Sequence, residues 1–495
     1  MAQNRRNFLK TSAIAGGSFL IMGTKSSGKA VGANNRLRIG VCGVNGRGSS
    51  HIGGWMSQEN VEVAYVIDPD DTVRERRVGD IVKRNEGAYT PKAIRDVREA
   101  LDDPNLDAIS VATPNHWHSL LTIWGAQAGK HVYVEKPMSH DVREGRIAVE
   151  AAKKNNVVVQ HGTQRRSNAK LAGLHDLIKS GKFGKLKISY GYCCKPRDTI
   201  GFAPVGAPPR DLDWELWKGP AIIDQYHALF HPYKWHWFWK TGNGDLNNQG
   251  THQLDVARWA IDDDQSHPVK VMSIGGRFPW PTKEGGFVKD QGETPNTMFG
   301  MAEYPNGQQV FFNVRNVNYK GYERQVKNQY YFEDGGWIDS EGDRKFTYYP
   351  AGNTEGYLVD VEDGNVTPGG NWGSFIAACR AGDPEMANGT AREAHDGCVL
   401  GHLMNNSYRL GEEVPFNEKA GQFGDNKDAS EHFMRLHSVM RDGVGVEDSE
   451  KYRVGPLLTF DPKTERHTGE FAEEANALLK DPNNPGYEVP TLAQL

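Results

Sequence analysis

Cysteine is scarce in this chain. There are five in 495 residues, Cys42, Cys193, Cys194, Cys379 and Cys398. An odd count with no CxxC pair excludes a disulfide framework and offers no zinc-ribbon spacing. The adjacent Cys193 and Cys194 read as an inward and an outward residue of one strand. Long apolar runs are missing too: the run near the N-terminus is far short of the ~20 residues that cross a bilayer. Net charge is small, -5, and basic runs are short, so neither nucleic acid nor an anionic membrane is indicated as a partner of the mature protein. No repeat at the ~20–50-residue periods of solenoids is present.

What is there is an ordinary globular composition, 38% hydrophobic and 24% charged. At this length it allows two or three domains. Aromatic residues are plentiful, with 12 Trp, 18 Tyr and 19 Phe. Their faces suit carbohydrate rings as well as core packing.

The first residues read as an address. Arg5-Arg6-Asn7-Phe8-Leu9-Lys10 precedes a short, weakly apolar run, and small residues follow at Val31-Gly32-Ala33. This is the layout of a twin-arginine export signal over residues 1–33, with the export machinery as a partner and the periplasm as the expected location. An exported protein has no access to the cytoplasmic cofactor pool, so any cofactor it used is expected to be held tightly and regenerated during turnover.

Residues 36–162 read as a nucleotide-binding half. Leu37–Cys42 is a buried, β-prone run leading into Gly43-Val44-Asn45-Gly46-Arg47-Gly48. The segment approximates GxGxxG, whose glycines let the backbone approach a pyrophosphate at a helix N-terminus. Asn45 holds the middle glycine position. It tolerates left-handed backbone angles, although its side chain can crowd the phosphates. A second strand, Val61–Ile67, ends at Asp68, 20 residues past Gly48. That spacing fits the carboxylate that accepts from adenosine ribose hydroxyls, and it favours NAD over NADP. Arg74 and Arg76 nearby moderate the preference. A third strand, Leu106–Ala112, runs into Thr113-Pro114-Asn115-His116-Trp117-His118. These histidines read as capping and packing residues, with metal binding the weaker alternative. His131–Val134 leads to Glu135-Lys136-Pro137. A lysine at a strand's carboxyl end, beside a cofactor crevice, can bind a substrate hydroxyl and help deprotonate it. A last strand, Val157–Gln160, completes this half.

With these pieces, above all Glu135-Lys136-Pro137, the chain resembles the Gfo/Idh/MocA oxidoreductases over about residues 36–450. The resemblance implies a Rossmann domain followed by an α+β domain, with a large open, mainly antiparallel sheet that covers the nicotinamide. It implies oxidation or reduction of secondary alcohols of sugars and inositols, and homo-oligomers paired through an exposed sheet face. The cofactor set it implies is Gly43, Asn45, Gly46, Arg47, Gly48, Asp68, Thr113, Pro114, Asn115, His118, Glu135 and Lys136.

The second domain is expected over 163–450, with 451–495 as a surface extension. Leu186–Tyr192 and Gln309–Val314 alternate as strands do. Between them, Trp214–Pro220 and His231–Trp239 form an aromatic stretch that reads as a binding wall or a core anchor. The family commonly has Asp-x-x-x-His facing the nicotinamide. His252 matches its histidine, while Asn248 stands where the aspartate is expected. His252 therefore lacks the carboxylate that would raise its pKa, and Asp245 cannot be placed from sequence. The expected catalytic residues are Lys136 and His252. The expected substrate contacts are Lys136, Arg165, Asn248 and His252, and no metal is expected. Three functions stay open: a dehydrogenase, a redox-neutral glycosidase or epimerase with tightly bound NAD, and a noncatalytic nucleotide-retaining sugar-binding protein.

Overall fold

The computed structural model describes residues 36–421 and 423–495. The export signal expected over 1–33 lies outside them. Among the described residues, no helix is long and apolar enough to cross a membrane.

Six strands, β1 (Leu37–Cys42), β2 (Val61–Ile67), β3 (Lys92–Ile94), β4 (Ala108–Val111), β5 (His131–Val134) and β6 (Val159–His161), form a parallel sheet in the order β3-β2-β1-β4-β5-β6. All five expected strand positions match to within two residues. β3 is the strand the sequence hides, because Lys-Ala-Ile is half exposed and makes no apolar run. The chain winds outward in both directions from β1 and β4. The crevice beyond their carboxyl ends is therefore the switch point where ligands bind in such sheets. Helices α1 (Arg47–Met56), α2 (Asp71–Arg84), α3 (His118–Gln127) and α4 (Val142–Asn155) connect the strands. α4 starts where the Asp141 side chain accepts from Glu144 N–H, and it stops at Asn156, whose φ of 50° is left-handed.

The second half is built on a 12-stranded sheet. Its strands are β7 (Leu186–Arg197), β8 (Lys270–Gly276), β9 (Thr297–Glu303), β10 (Gln309–Val317), β11 (Gln325–Phe332), β12 (Trp337–Glu341), β13 (Lys345–Tyr349), β14 (Tyr357–Leu358), β15 (Glu412–Pro415), β16 (Lys451–Val454), β17 (Leu458–Asp461) and β18 (Arg466–Thr468). The order is β14-β13-β12-β11-β7-β10-β9-β8-β16-β15, with β17 on β8 and β18 on β17. β7 and β10 are parallel, and the other pairs are antiparallel.

Strand alternation sends Val310, Phe312 and Val314 to one face, where they meet α5 (Ala169–Lys179), α6 (Gly250–Trp259) and α8 (Ala391–Arg409). Phe311 points to the other face with Tyr190, Ile274 and Phe299. That face is not bare: Phe416, Phe423 and, from α9 (Lys427–Ser438), Phe433 and Leu436 pack on it. The chain thus covers with its own residues much of the surface on which the homo-oligomer expectation rested. The same cover explains why Cys193 and Cys194 are both buried, where one of the pair was expected to face outward.

The domain boundaries also differ from the expected ones. α7 (Gly370–Ala381) returns to the nucleotide half, where Phe375 and Ile376 join the core of Ile39, Val41 and Trp55. The segment 451–495, expected as a surface extension, supplies β16, β17 and β18 to the large sheet. Its end then crosses to the nucleotide half, placing Tyr487 edge-on to Trp117 at 5.4 Å.

Candidate active site

A cavity of about 470 Å³ opens at the switch point. Gly43, Asn45, Gly46, Arg47 and Asp68 line one end, and Glu135, Lys136, Asn248 and His252 line it toward the second domain. Thr113, Pro114, Asn115 and His118 lie between these groups. Gly48 does not line it, yet its role is plain. A Cβ there would lie 1.8 Å from the Gly43 carbonyl oxygen, so only glycine allows α1 to start this close to β1. Gly43 itself has φ +76°, a left-handed turn.

Asp68 holds the turn in place. Its Oδ2 accepts from Val44 N–H at 2.8 Å and its Oδ1 from Asp70 N–H at 3.0 Å. Each oxygen keeps a second lone pair for a ligand hydroxyl. Burial raises the carboxyl to about 6, against the pull of these two bonds. The cations around it are already engaged. Arg74 donates to the Asp68 carbonyl at 2.8 Å, and Arg76 to Asn45 Oδ1 at 3.1 Å. Arg77, which no local motif marks, caps the turn through the Val44 and Asn45 carbonyls, each at 2.9 Å.

Glu135 is buried at the centre of a small network. It accepts from Arg47 Nε at 2.7 Å and pairs with His51 Nε2 at 3.1 Å. Ser110 Oγ accepts the Trp55 indole N–H at 2.8 Å and lies 2.8 Å from His51 Nδ1. The hydroxyl therefore donates to Nδ1, and a neutral His51 donates from Nε2 to Glu135. Burial works to raise the Glu135 carboxyl, but the His51 bond and the charges of Arg47 and Lys136 override it and hold it well below the usual carboxylate value.

Lys136 donates to Asn248 Oδ1 at 3.0 Å. Burial lowers its ammonium, and Glu135 and Asp245 oppose that shift. His252, in the first turn of α6, has a buried Nδ1 with no protein partner among the described residues. Burial, then the Lys136 charge, push its pKa well below that of free histidine. It is a neutral imidazole without an orienting carboxylate, as Asn248 in place of Asp implies.

Two expected contacts act otherwise. Arg165 turns its guanidinium to Asp343 at 2.6 Å, and it is Gln164 that faces the cavity. His118 lines the cavity, but its ring nitrogens approach the Pro137 and Thr113 carbonyls at 2.6 and 2.9 Å, so it stitches two loops together. His116 likewise bridges to the Trp217 and Thr241 carbonyls, at 3.2 and 3.4 Å. Among the described residues, the grouping of metal-ligand type is His267, His395 and Glu465. There Arg146 already occupies both Glu465 oxygens, each at 3.1 Å from its Nε.

The sequence did not identify His236, although it marked the aromatic run that carries it. His236 lines the cavity, stacked on Trp235 with ring centroids 3.5 Å apart. Its Nδ1 lies 2.6 Å from the Tyr233 carbonyl. The carbonyl can only accept, so the proton is on Nδ1 and Nε2 is an acceptor. Burial lowers its pKa to about 3, which keeps it neutral. The rest of this segment, residues 198–240, has its own apolar cluster around Trp217, Phe230 and Phe238. It is fastened to the nucleotide half at Asp71 N–H to the Asp211 carbonyl, 2.8 Å, and at Asp213 N–H to the Pro69 carbonyl, 3.0 Å. From behind, Asn484 donates to the Gly219 and Ala221 carbonyls, each at 2.8 Å.

These residues fit a nicotinamide dinucleotide. A Cβ on Gly46 would meet nothing within 4 Å, so open space faces the turn. Thr113 Oγ1 and Asn115 Nδ2 are buried without protein partners among the described residues, and a bound ligand can satisfy them.

Comparison with known proteins agrees with this geometry. Residues 37–163 match the family model described as "Oxidoreductase family, NAD-binding Rossmann fold", and residues 172–336 match "GFO/IDH/MocA C-terminal domain". The chain is 32% identical over 149 residues to a myo-inositol 2-dehydrogenase of Thermotoga maritima, covering 30% of this chain and 42% of that one. It is 30% identical over 155 residues to a glycosyl hydrolase family 109 protein of Shewanella putrefaciens, covering 30% and 33%. These matches span less than half the length of either relative. The fold is shared with the WlbA dehydrogenase from Bordetella pertussis in complex with NADH and UDP-GlcNAcA, at 19% identity and a TM-score of 0.51, covering 74% of this chain and 94% of that one.

Proposed function

The chain belongs to the Gfo/Idh/MocA family of oxidoreductases, and from that premise we propose that it is an NAD(H)-dependent oxidoreductase acting on a secondary alcohol of a sugar, inositol or glycoside. One observation carries the reading: a single cavity joins the glycine turn and Asp68 to Lys136, Asn248 and His252. The bound nicotinamide supplies hydride acceptance from, or return to, the carbinol carbon. Lys136 donates to the substrate oxygen and steadies it as the hydroxyl proton leaves. His252, neutral, takes that proton. Trp217, Tyr233 and Trp235 offer ring faces to the apolar side of a pyranose or cyclitol. Asp68 favours NAD over NADP by accepting ribose hydroxyls and repelling a 2′-phosphate.

A redox-neutral variant, in which the hydride returns to the same substrate, is the second reading. It is favoured by the 198–240 strap, which is fastened across the nucleotide half from two sides and opposes cofactor exchange. Similarity to a glycosyl hydrolase family 109 protein points the same way, as does the twin-arginine layout at Arg5 and Arg6, since a chain exported by that route would have no free cofactor pool. His236 Nε2 adds the neutral acceptor that such a reaction needs beyond His252. A noncatalytic sugar-binding role is disfavoured by Lys136 and His252 meeting in one cavity. It would be revived by a Lys136→Ala protein that kept full biological effect.

The deciding experiment is to purify the mature protein, denature it and assay the supernatant for nicotinamide. Stoichiometric NAD(H) supports the internally cycling enzyme. An empty protein that binds added NAD supports a dehydrogenase that exchanges its cofactor. No binding of either kind refutes the oxidoreductase reading.

A further inference from the structure

Asp245 is completely buried and does not line the cavity, and the chemistry above gives it no part. Its surroundings are nevertheless specific. Arg197, the last residue of β7, grips both carboxylate oxygens, Nε to Oδ2 at 2.8 Å and Nη2 to Oδ1 at 2.8 Å. The guanidinium lies over the Trp237 ring at 5.7 Å, and the Arg197 carbonyl accepts the Trp280 indole N–H at 3.0 Å, so the clamp is itself held. Oδ1 also accepts Asn248 Nδ2–H at 3.0 Å.

An amide has one donor end and one acceptor end. With Nδ2 committed to the carboxylate, Oδ1 must face the other way, and there it meets Lys136 Nζ at 3.0 Å. Turning the amide over would aim its oxygen at a carboxylate and its N–H groups at an ammonium, so the orientation is fixed by charge at both ends.

We propose that Asp245, clamped by Arg197, is a positioning residue that acts on Lys136 through Asn248, holding the ammonium with a neutral acceptor so that its charge stays available to a substrate oxygen. This rests on the role given to Lys136 above. A carboxylate touching Lys136 would close an ion pair that substrate must break. A carboxylate set one residue behind an amide orients the ammonium and supports its proton without neutralising it. The other charged or titratable groups facing Lys136 are Glu135 with Arg47 on the nucleotide side, His118 beside them, and Arg197, His236 and His252 from the second domain.

The test needs no substrate. Acetic anhydride labels neutral amines, so the acetylation of Lys136 in the full-length protein, followed against pH by peptide mass spectrometry, reports where its ammonium loses a proton. The same protein's exposed lysines serve as internal reference. In Asp245→Asn the midpoint for Lys136 is expected to fall by about one pH unit or more, the range for losing a nearby opposite charge. Asn248→Leu, which cuts the link and leaves the Arg197 clamp whole, is expected to lower it too, and Asn248→Asp to raise it. Unchanged midpoints in Asp245→Asn and Asn248→Leu would overturn the proposal. If Asp245→Asn fails to fold, Asn248→Leu decides alone. NAD(H) titration of the unmodified protein is read separately: failure to bind would remove the oxidoreductase reading, whatever the labelling shows.

Discussion

The Arg47 guanidinium meets the Glu135 carboxylate at 2.7 Å, tying the first turn of α1 to the residue that precedes Lys136. The glycine turn and Lys136 are therefore registered by one ion pair, with His51 behind it. Glu135→Ala leaves the buried His51 and Arg47 without their acceptor. It is expected to cost about 3 kcal/mol, the low end for breaking a buried pair because Arg47 can turn to water. Denaturant unfolding measures this. The Glu135 carboxyl is held well below its ordinary value. Its contribution is present above the unfolded value and is lost as pH falls through the folded one. The stability difference between wild type and Glu135→Ala should thus shrink on acidification below about pH 4. A constant difference would mean the carboxylate is not what the network stabilises.

Gly46 and Gly48 separate ligand space from protein space. A Cβ on Gly48 collides with the Gly43 backbone, so Gly48→Ala should destabilise the fold by about 2 kcal/mol or more. A Cβ on Gly46 meets only open space. Gly46→Ala should therefore unfold like wild type while binding NAD(H) at least about tenfold more weakly, a 1.4 kcal/mol effect. Undiminished NAD(H) affinity in Gly46→Ala, measured by calorimetry, would show that the pyrophosphate does not lie against this turn.

Asp68, raised to about 6 by burial, is expected to make cofactor choice depend on pH. Its burial penalty is absent below the unfolded value near 4 and grows as pH rises through about 6, so it lowers stability at neutral pH. In exchange, the ionised form is expected to repel a 2′-phosphate. The preference for NAD over NADP should narrow as pH falls below about 6, and in Asp68→Ala it should be small and independent of pH. A wild-type preference that is flat from pH 5 to about 8 would contradict this assignment.

His252 is neutral at any working pH because burial and Lys136 hold it low. The usual histidine limb near pH 6.5 should therefore be missing from the kcat profile. His252→Gln is expected to lower kcat by about 10²- to 10⁴-fold while NAD(H) affinity changes little. Lys136→Met should lose comparable kcat and also raise KM, if the ammonium holds the substrate oxygen before and during reaction as proposed. A His252→Gln enzyme with wild-type kcat would move the base role to His236.

Much of the nucleotide half was legible because its signals are local. A buried strand followed by a glycine turn, an acid 20 residues later and a lysine at a strand end are fixed by backbone sterics and short spacings. β3 was not legible, since three half-exposed residues carry no periodic signal and become a strand only beside β2. The direction of Arg165 was not legible for a related reason: only packing decided that it turns to Asp343 while its neighbour Arg166 meets Asp255 at 2.9 Å.

The sequence by itself determined the strand–glycine turn–helix start, Asp68, Lys136, His252 and the missing carboxylate at Asn248. Tertiary structure alone decided what stands behind them. Arg197 and Asp245 are 48 residues apart, Asp245 and Lys136 more than a hundred, and residues 198–240 reach the cavity only by folding back over the nucleotide half. Such relationships depend on which faces of distant elements are buried together. They are set by the packing of the whole core and leave no periodic trace along the chain.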